Sequence, residues 1–471
     1  MTTQPVATAP SAPPAATATD EPGVAELRAS FRGTLLRPGD PGYESARRVW
    51  NGTIDRRPAL IARCAGAADV IRAVDFARER GLPLAVRGGG HNVAGNAVCD
   101  GGVVIDLFAM KAIRVDPARR TVRAEGGVTW GELDREAQAF GLATTGGIVS
   151  TTGVAGLTLG GGIGWLARSY GLASDNLLSA DLVTADGRLR TASADEHGAL
   201  FWGLRGGGGN FGVATSLEFR LHPVGPMLGG LLIHPFEAAR DLLRLYRDVT
   251  AAAPPELTCF AVLTSSAEGA PVAVVALCYN GRPEDGERLL RPLRAFGSPL
   301  MDGIGPLPYT ALQSMLDPFY PPGLLNYWKS SFLTGLGDDA IDTMLAHCAD
   351  RPTPQCHIAI EQMGGAVSRV GADETAFAHR DAPYNFLVLG MASDRAEAEA
   401  CVRWARGFWD AVQPFASSGV YVNYLGGEAD EGAERVRAAY GPAKYERLAA
   451  LKAAYDPGNL FRLNQNIRPA T

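Results

Sequence analysis

The sequence predicts an α+β fold in two main parts, and three observations carry that prediction. Apolar runs of strand length alternate with amphipathic helical stretches, with glycine breaks between them. The chain has 57 glycines in 471 residues, packed most densely into three loops between residues 87 and 212. From about residue 223 glycine thins, and longer strand runs alternate with helices. A chain of this length can bury two cores. The boundaries expected are a disordered tail over residues 1–26, a first domain over 27–223, a second over 224–415 and a motif-rich segment over 416–471.

Residues 1–22 are rich in Ala, Thr and Pro and contain no Lys or Arg. They have neither the basic start nor the apolar core of a secretory signal, and they read as disordered. Residues 67–77 place Val70, Val74 and Ala77 at helical spacing, and Gly81 stops that helix. A strand over 82–86 leads into the first loop, Arg87-Gly88-Gly89-Gly90-His91-Asn92. Strands follow over 103–107 and 121–124, then a helix over 130–140. The second glycine region covers 146–164 and continues to Asp175-Asn176. The third, 204–212, precedes a strand over 213–221. Beyond it, 238–249 reads as a helix and 271–278 as a strand. The end of the chain carries Tyr421-Val422-Asn423-Tyr424, one helical run over 432–454, and the polar Asn464-Gln465-Asn466.

Consecutive glycines let backbone approach a ligand where a β-carbon would collide. Three such loops in one segment point to a long ligand with a diphosphate, whose oxygens are met by backbone N–H groups. A strand, not a helix, follows the first loop. Neither a P-loop nor a dinucleotide-binding glycine motif is present. The formal charge of -6 and the absence of a basic stripe argue against nucleic acid. No apolar run approaches membrane-spanning length. Seven scattered cysteines imply no disulfide framework, which favours a cytoplasmic location. His347-Cys348 and Cys356-His357 fit no common zinc spacing and read as a helix end and a strand with incidental thiols.

Taken in order, several of these pieces resemble the vanillyl-alcohol-oxidase type of flavoprotein, in its berberine-bridge-enzyme-like branch. They are Arg87 to Asn92, Gly153 to Gly164 with Tyr170-Gly171 and Asp175-Asn176, Tyr421 to Tyr424, Asp456 to Phe461, and Asn464 to Asn466. The resemblance implies a PCMH-type FAD-binding domain built from both chain ends, and a substrate domain whose antiparallel sheet is covered by helices. It implies FAD bonded through its 8α-methyl carbon to His91. It further implies cofactor contacts at Arg87, Gly88, Gly89, Gly90, Asn92, Val149, Thr152, Gly153, Gly156, Gly160, Gly161, Gly162, Gly164, Asp175, Asn176, Gly212, Val213, Asn423, Asn464 and Asn466. Many members attach the flavin a second time through a cysteine. Val149 holds that position here, so a single covalent bond is expected. Thr152 occupies the place where related oxidases admit oxygen, which favours an oxidase over a dehydrogenase; intact Tyr424, Glu361 and His91 argue against a non-catalytic flavin binder.

The implied reaction is hydride transfer from an alcohol, amine or phenol-activated carbon of a small substrate, of secondary-metabolite type, to flavin N5. Oxygen then yields hydrogen peroxide. A base is required, with a pKa brought toward neutrality. Tyr424 is the first candidate and Tyr421 the second; in an extended segment the two would face opposite ways. The carboxylate candidate is Glu361. Alternation puts it on one strand face with Ala359 and Met363, either salt-bridged or catalytic. Tyr327-Trp328-Lys329 offers an aromatic wall and a cation, or a packed strand with one exposed lysine.

Overall fold

The computed structural model describes residues 21–427 and 431–470. Its α+β architecture contains two main sheets and a small pairing of Leu142–Ala143 with His222–Pro223 in the first part of the chain, and a large sheet in the second. The first is four-stranded, in the order Thr34–Leu36, Leu60–Arg63, Val103–Asp106, Leu84–Arg87, with the last three strands parallel. The helix Ala67–Glu79 closes it from one side, burying Val70, Val74 and Ala77 as the spacing predicts. The second sheet is five-stranded and antiparallel, in the order Ile113–Asp116, Thr121–Glu125, Val213–Arg220, Leu177–Val183, Leu189–Ser193.

The second part is an eight-stranded antiparallel sheet. Its centre runs Met227–Pro235, Pro271–Tyr279, Leu257–Ser265, His357–Gln362, Tyr384–Ala392, Leu325–Leu333. Helices Ala239–Ala252, Asp338–Ala349 and Arg395–Val412 cover one face, where Ile358 and Ile360 join Leu242, Tyr246, Met344 and Phe408 in a core. The other face carries His357, Ala359 and Glu361, and cross-strand register aligns them with Leu389, Leu387 and Asn385. That face looks back toward the glycine loops.

The chain then returns. Val436, Tyr440, Leu448 and Leu451 pack with Trp202, Phe211 and Phe219 of the first part. Buried Lys452 fastens this return, donating to the carbonyls of Asn210 and Phe461 and to Asp456 Oδ2, 2.7 Å away.

Two expectations are corrected here. Residues 1–20 of the expected tail lie outside the described residues, but Glu21–Ala29 is a helix that buries Val24 and Leu27 against the first core, so residues 21–26 are not a loose tail. The single helix expected over 432–454 is two, Ala433–Tyr440 and Pro442–Tyr455. Gly441 at φ 71 turns the chain between them, and Pro442 cannot continue a preceding helix.

Candidate active site

Two adjoining chambers run between the glycine loops and the open face of the large sheet. They share Val86, Gly88, Asn92, Ala97, Gly156 and Asn423, so they form one cleft. All three glycine loops contribute: Gly88 from the first, Gly153 and Gly156 from the second, Gly208, Gly209 and Gly212 from the third. Among the described residues no Asp, Glu, Lys or Arg lines either chamber.

The first and second loops touch backbone to backbone. A β-carbon on Gly89 would lie 2.7 Å from Gly153 Cα, so both positions require glycine. Gly156 and Gly209 are different: a β-carbon there would meet nothing within 4 Å and would project into open space. Asn464 donates to the carbonyls of Gly209 and Phe461, while its buried Oδ1 has no partner. An unfilled acceptor in a chamber wall and glycine walls free of side chain suit a large ligand with hydroxyl or amino donors, as FAD has.

His91 sits in the second chamber, stacked on Trp50 at a centroid distance of 5.4 Å. Its Nε2 lies 3.0 Å from Thr151 Oγ1 and its Nδ1 3.4 Å from Thr152 Oγ1. Burial pushes its pKa down to about 4, so at neutral pH the imidazole is uncharged, with one ring nitrogen a donor and the other an acceptor. From His91 an aromatic wall runs through Trp50 and Trp328 to Tyr424, with ring centroids 5.5 and 5.9 Å apart along the last two steps.

Tyr421 and Tyr424 face the same side, contrary to the extended-segment expectation. Residues Val422–Tyr424 form a 3₁₀ turn, in which positions three apart eclipse, and the two rings meet edge to face at 4.8 Å. Their hydroxyls are used differently. Tyr421 accepts from the backbone N–H of Gly162 at 2.8 Å and from Asn423 Nδ2 at 2.7 Å. Burial raises its pKa to about 12. Tyr424 donates to Glu361 Oε1 at 2.7 Å, and Asn385 donates to Oε2 at 2.7 Å. Glu361 is 1% exposed, and burial lifts its pKa from 4.5 to about 7.

Other expected residues lie elsewhere. Gly160, Gly161, Gly162 and Gly164 are outside the cleft lining; β-carbons there would overlap Asn423, Phe377, Ala173 and the Gly146 backbone, so their role is packing. Asp175 is held by Arg380 in a buried ion pair at 2.7 Å. Asn176 donates to the carbonyls of Tyr170 and Leu172 and meets His222. Arg87 turns away to the carbonyl of Ala46, and Val213 joins the first core. Asn466 is outside the lining, with a buried, unpartnered Oδ1. Val149, Thr152 and Asn423 do line the cleft. Lys329 is not exposed. It is buried on Glu431 at 2.7 Å, leaving Trp328 alone to face the chamber. Trp50, Tyr320, Asn385, Leu387 and Leu389 complete the site and belong to no motif. Only strand alternation opposite Glu361 could have flagged Asn385 and Leu387.

Cleft and fold together define a flavin-dependent oxidoreductase. Two family profiles match, one described as FAD binding domain over residues 58–193 and one described as berberine and berberine like over residues 420–468. An FAD-linked oxidoreductase from Dictyostelium discoideum is 34% identical over 95% of this chain and 97% of its own length. The (R)-6-hydroxynicotine oxidase of Paenarthrobacter nicotinovorans is 34% identical over 93% of this chain and 97% of its own. The crystal structure of 6-hydroxy-D-nicotine oxidase from Arthrobacter nicotinovorans superposes with a TM-score of 0.87 at 33% identity, covering 94% of this chain and 99% of that one. The chain belongs to the berberine-bridge-enzyme-like family of FAD-linked oxidoreductases and is an enzyme that binds FAD. No helix among the described residues is long and apolar enough to cross a membrane.

Proposed function

We propose that this enzyme is an oxidase that carries FAD on a single covalent bond to His91 and oxidises an alcohol, amine or phenol-activated carbon of a small organic molecule. FAD, when bound, would supply the hydride acceptor, with oxygen as the terminal electron acceptor and hydrogen peroxide as its product. The observation that carries the reading is the Tyr424–Glu361 hydrogen bond of 2.7 Å beneath a cleft that also holds a neutral His91. Tyr424 lines the chamber and Glu361 stands behind it. A substrate O–H or N–H gives its proton to the Tyr424 oxygen while the phenolic proton moves to Glu361 Oε1. A carboxylate titrating near 7 is matched to that task at physiological pH. Tyr421, its oxygen fixed by backbone and Asn423 donors, orients the turn that presents Tyr424. Val149 offers no thiol for a second attachment.

Acid denaturation of the purified yellow protein tests the reading. Flavin is expected to stay with the polypeptide in the wild type and to be released from His91→Ala. Reoxidation of the photoreduced wild-type flavin in air, with peroxide formed, is the second expected result. Colour lost from the wild type defeats the covalent bond, and a reduced flavin stable in air defeats the oxidase.

A further inference from the structure

The strand that carries Glu361 places a second titratable group behind the wall of the same cavity. His357 lies on the same face four residues earlier, about 13 Å away along the backbone. Its Nδ1 is 2.8 Å from the carbonyl of Gln355, and its Nε2 is 3.0 Å from the hydroxyl of Tyr320. A carbonyl only accepts, so Nδ1 carries the ring proton. Burial keeps the ring neutral, with a pKa near 4. Nε2 therefore accepts, and Tyr320 is the donor. The hydroxyl proton is directed away from the cavity wall that Tyr320 forms with Trp328, Leu387 and Leu389. Tyr320 lines the cavity, and a ligand group that reaches its phenolic oxygen meets lone pairs only.

We propose that Tyr320, with its proton held by His357, is a specificity-determining residue that selects substrates bearing a hydrogen-bond donor, a hydroxyl or N–H, at the end away from Glu361. This rests on the oxidase reading only for which ligand enters the chamber. Two of the cavity's three tyrosines pass their protons back to one strand, Tyr424 to Glu361 and Tyr320 to His357. Each thus meets the substrate as an acceptor. A substrate ending in a carboxylate or an ether would set lone pair against lone pair at Tyr320. The aromatic wall of Trp50, Trp328 and Tyr424 accommodates a flat body between the two ends.

The test uses the holoenzyme and three probes of one skeleton: benzyl alcohol, 4-hydroxybenzyl alcohol (a donor) and 4-methoxybenzyl alcohol (an acceptor only). Affinities are read anaerobically from the flavin difference spectrum and from quenching of tryptophan fluorescence, which needs no flavin. The wild type is expected to bind the hydroxy probe about tenfold more tightly than the methoxy probe, the worth of one net hydrogen bond. Tyr320→Phe should abolish that preference and leave benzyl alcohol unchanged. His357→Phe frees the Tyr320 proton to donate, so the methoxy probe should gain. Wild-type affinities that do not distinguish the probes, a uniform loss for all three in Tyr320→Phe, or binding of none of them overturns the proposal. Flavin retention in acid and reoxidation in air, measured on the same samples, report on the oxidase reading separately.

Discussion

Replacing Glu361 by Gln separates catalytic use from structural use, because the two predict opposite signs. The carboxyl is buried beneath Tyr424 and Asn385, and its pKa stands near 7 against an ordinary 4.5. That difference is worth about 3 kcal/mol. Below pH 4.5 the group is protonated both folded and unfolded, so Gln changes little. As pH rises through 7 the folded state is last to give up the proton, and above it the full cost of the buried charge falls on the folded state. The Gln variant should therefore melt higher than wild type at pH 9 and close to it at pH 4. Activity should move the other way. The wild-type kcat/KM should rise about tenfold per pH unit up to about 7 and then level, and the variant should lose that limb with a fall of 10²- to 10⁴-fold. Melting followed by flavin fluorescence across this pH range, with peroxide release as the rate assay, measures both. A variant less stable than wild type at pH 9, or a variant that keeps the pH limb, refutes the assignment.

Three further perturbations follow from the same geometry. Gly89→Ala places a β-carbon 2.7 Å from Gly153 Cα, and overpacking of about 1–3 kcal/mol should separate the two loops and lower the flavin content of the purified protein at least several-fold by absorbance. Lys452→Met leaves Asp456 charged and buried without its cation, and a cost of about 3–5 kcal/mol should appear as a clear drop in melting temperature. Tyr421→Phe removes the acceptor for the Gly162 N–H, so kcat should fall while the acid-stable flavin linkage persists, measured by peroxide release and acid precipitation.

Much of this site was legible in the sequence, for identifiable reasons. The glycine loops announced a ligand because bare backbone has few other uses at that density, and alternation put Glu361 on the cavity face because the strand's period is fixed by the pleat. A glycine signals close approach without saying to what. Gly160 through Gly164 admit neighbouring protein, whereas Gly156 and Gly209 open onto the cleft. The shared facing of Tyr421 and Tyr424 depends on three residues coiling into a 3₁₀ turn, which a four-residue motif does not specify. Lys329 looked exposed because its partner, Glu431, lies 102 residues away. Trp50 and Tyr320 come from irregular segments joined only in three dimensions, where Trp50 Nε1 donates to the Tyr320 carbonyl. The break at Gly441-Pro442 was readable from local chemistry alone, and helical periodicity on both sides concealed it.

The positions of Glu361 and His357 over the cleft depend on a contact far from any motif function. Arg168, in the second glycine region, is buried and reaches into the large sheet, donating to the carbonyls of Leu257, Met363, Ala253 and Pro254. Met363 is two residues beyond Glu361 on the same chain. A planar guanidinium can bridge these carbonyls from fixed directions, which a lysine ammonium cannot. The second glycine region is thereby tied to the strand that carries Glu361 and His357, without placing a charge in the chamber itself. Burial of Arg380 on Asp175 repeats the device beside it, tying residue 175 of the second glycine region to the loop that follows the strand His357–Gln362. Asp175, expected as a cofactor contact, and Arg168, seven residues before it, thus act on the site by fixing how the large sheet sits on the cleft.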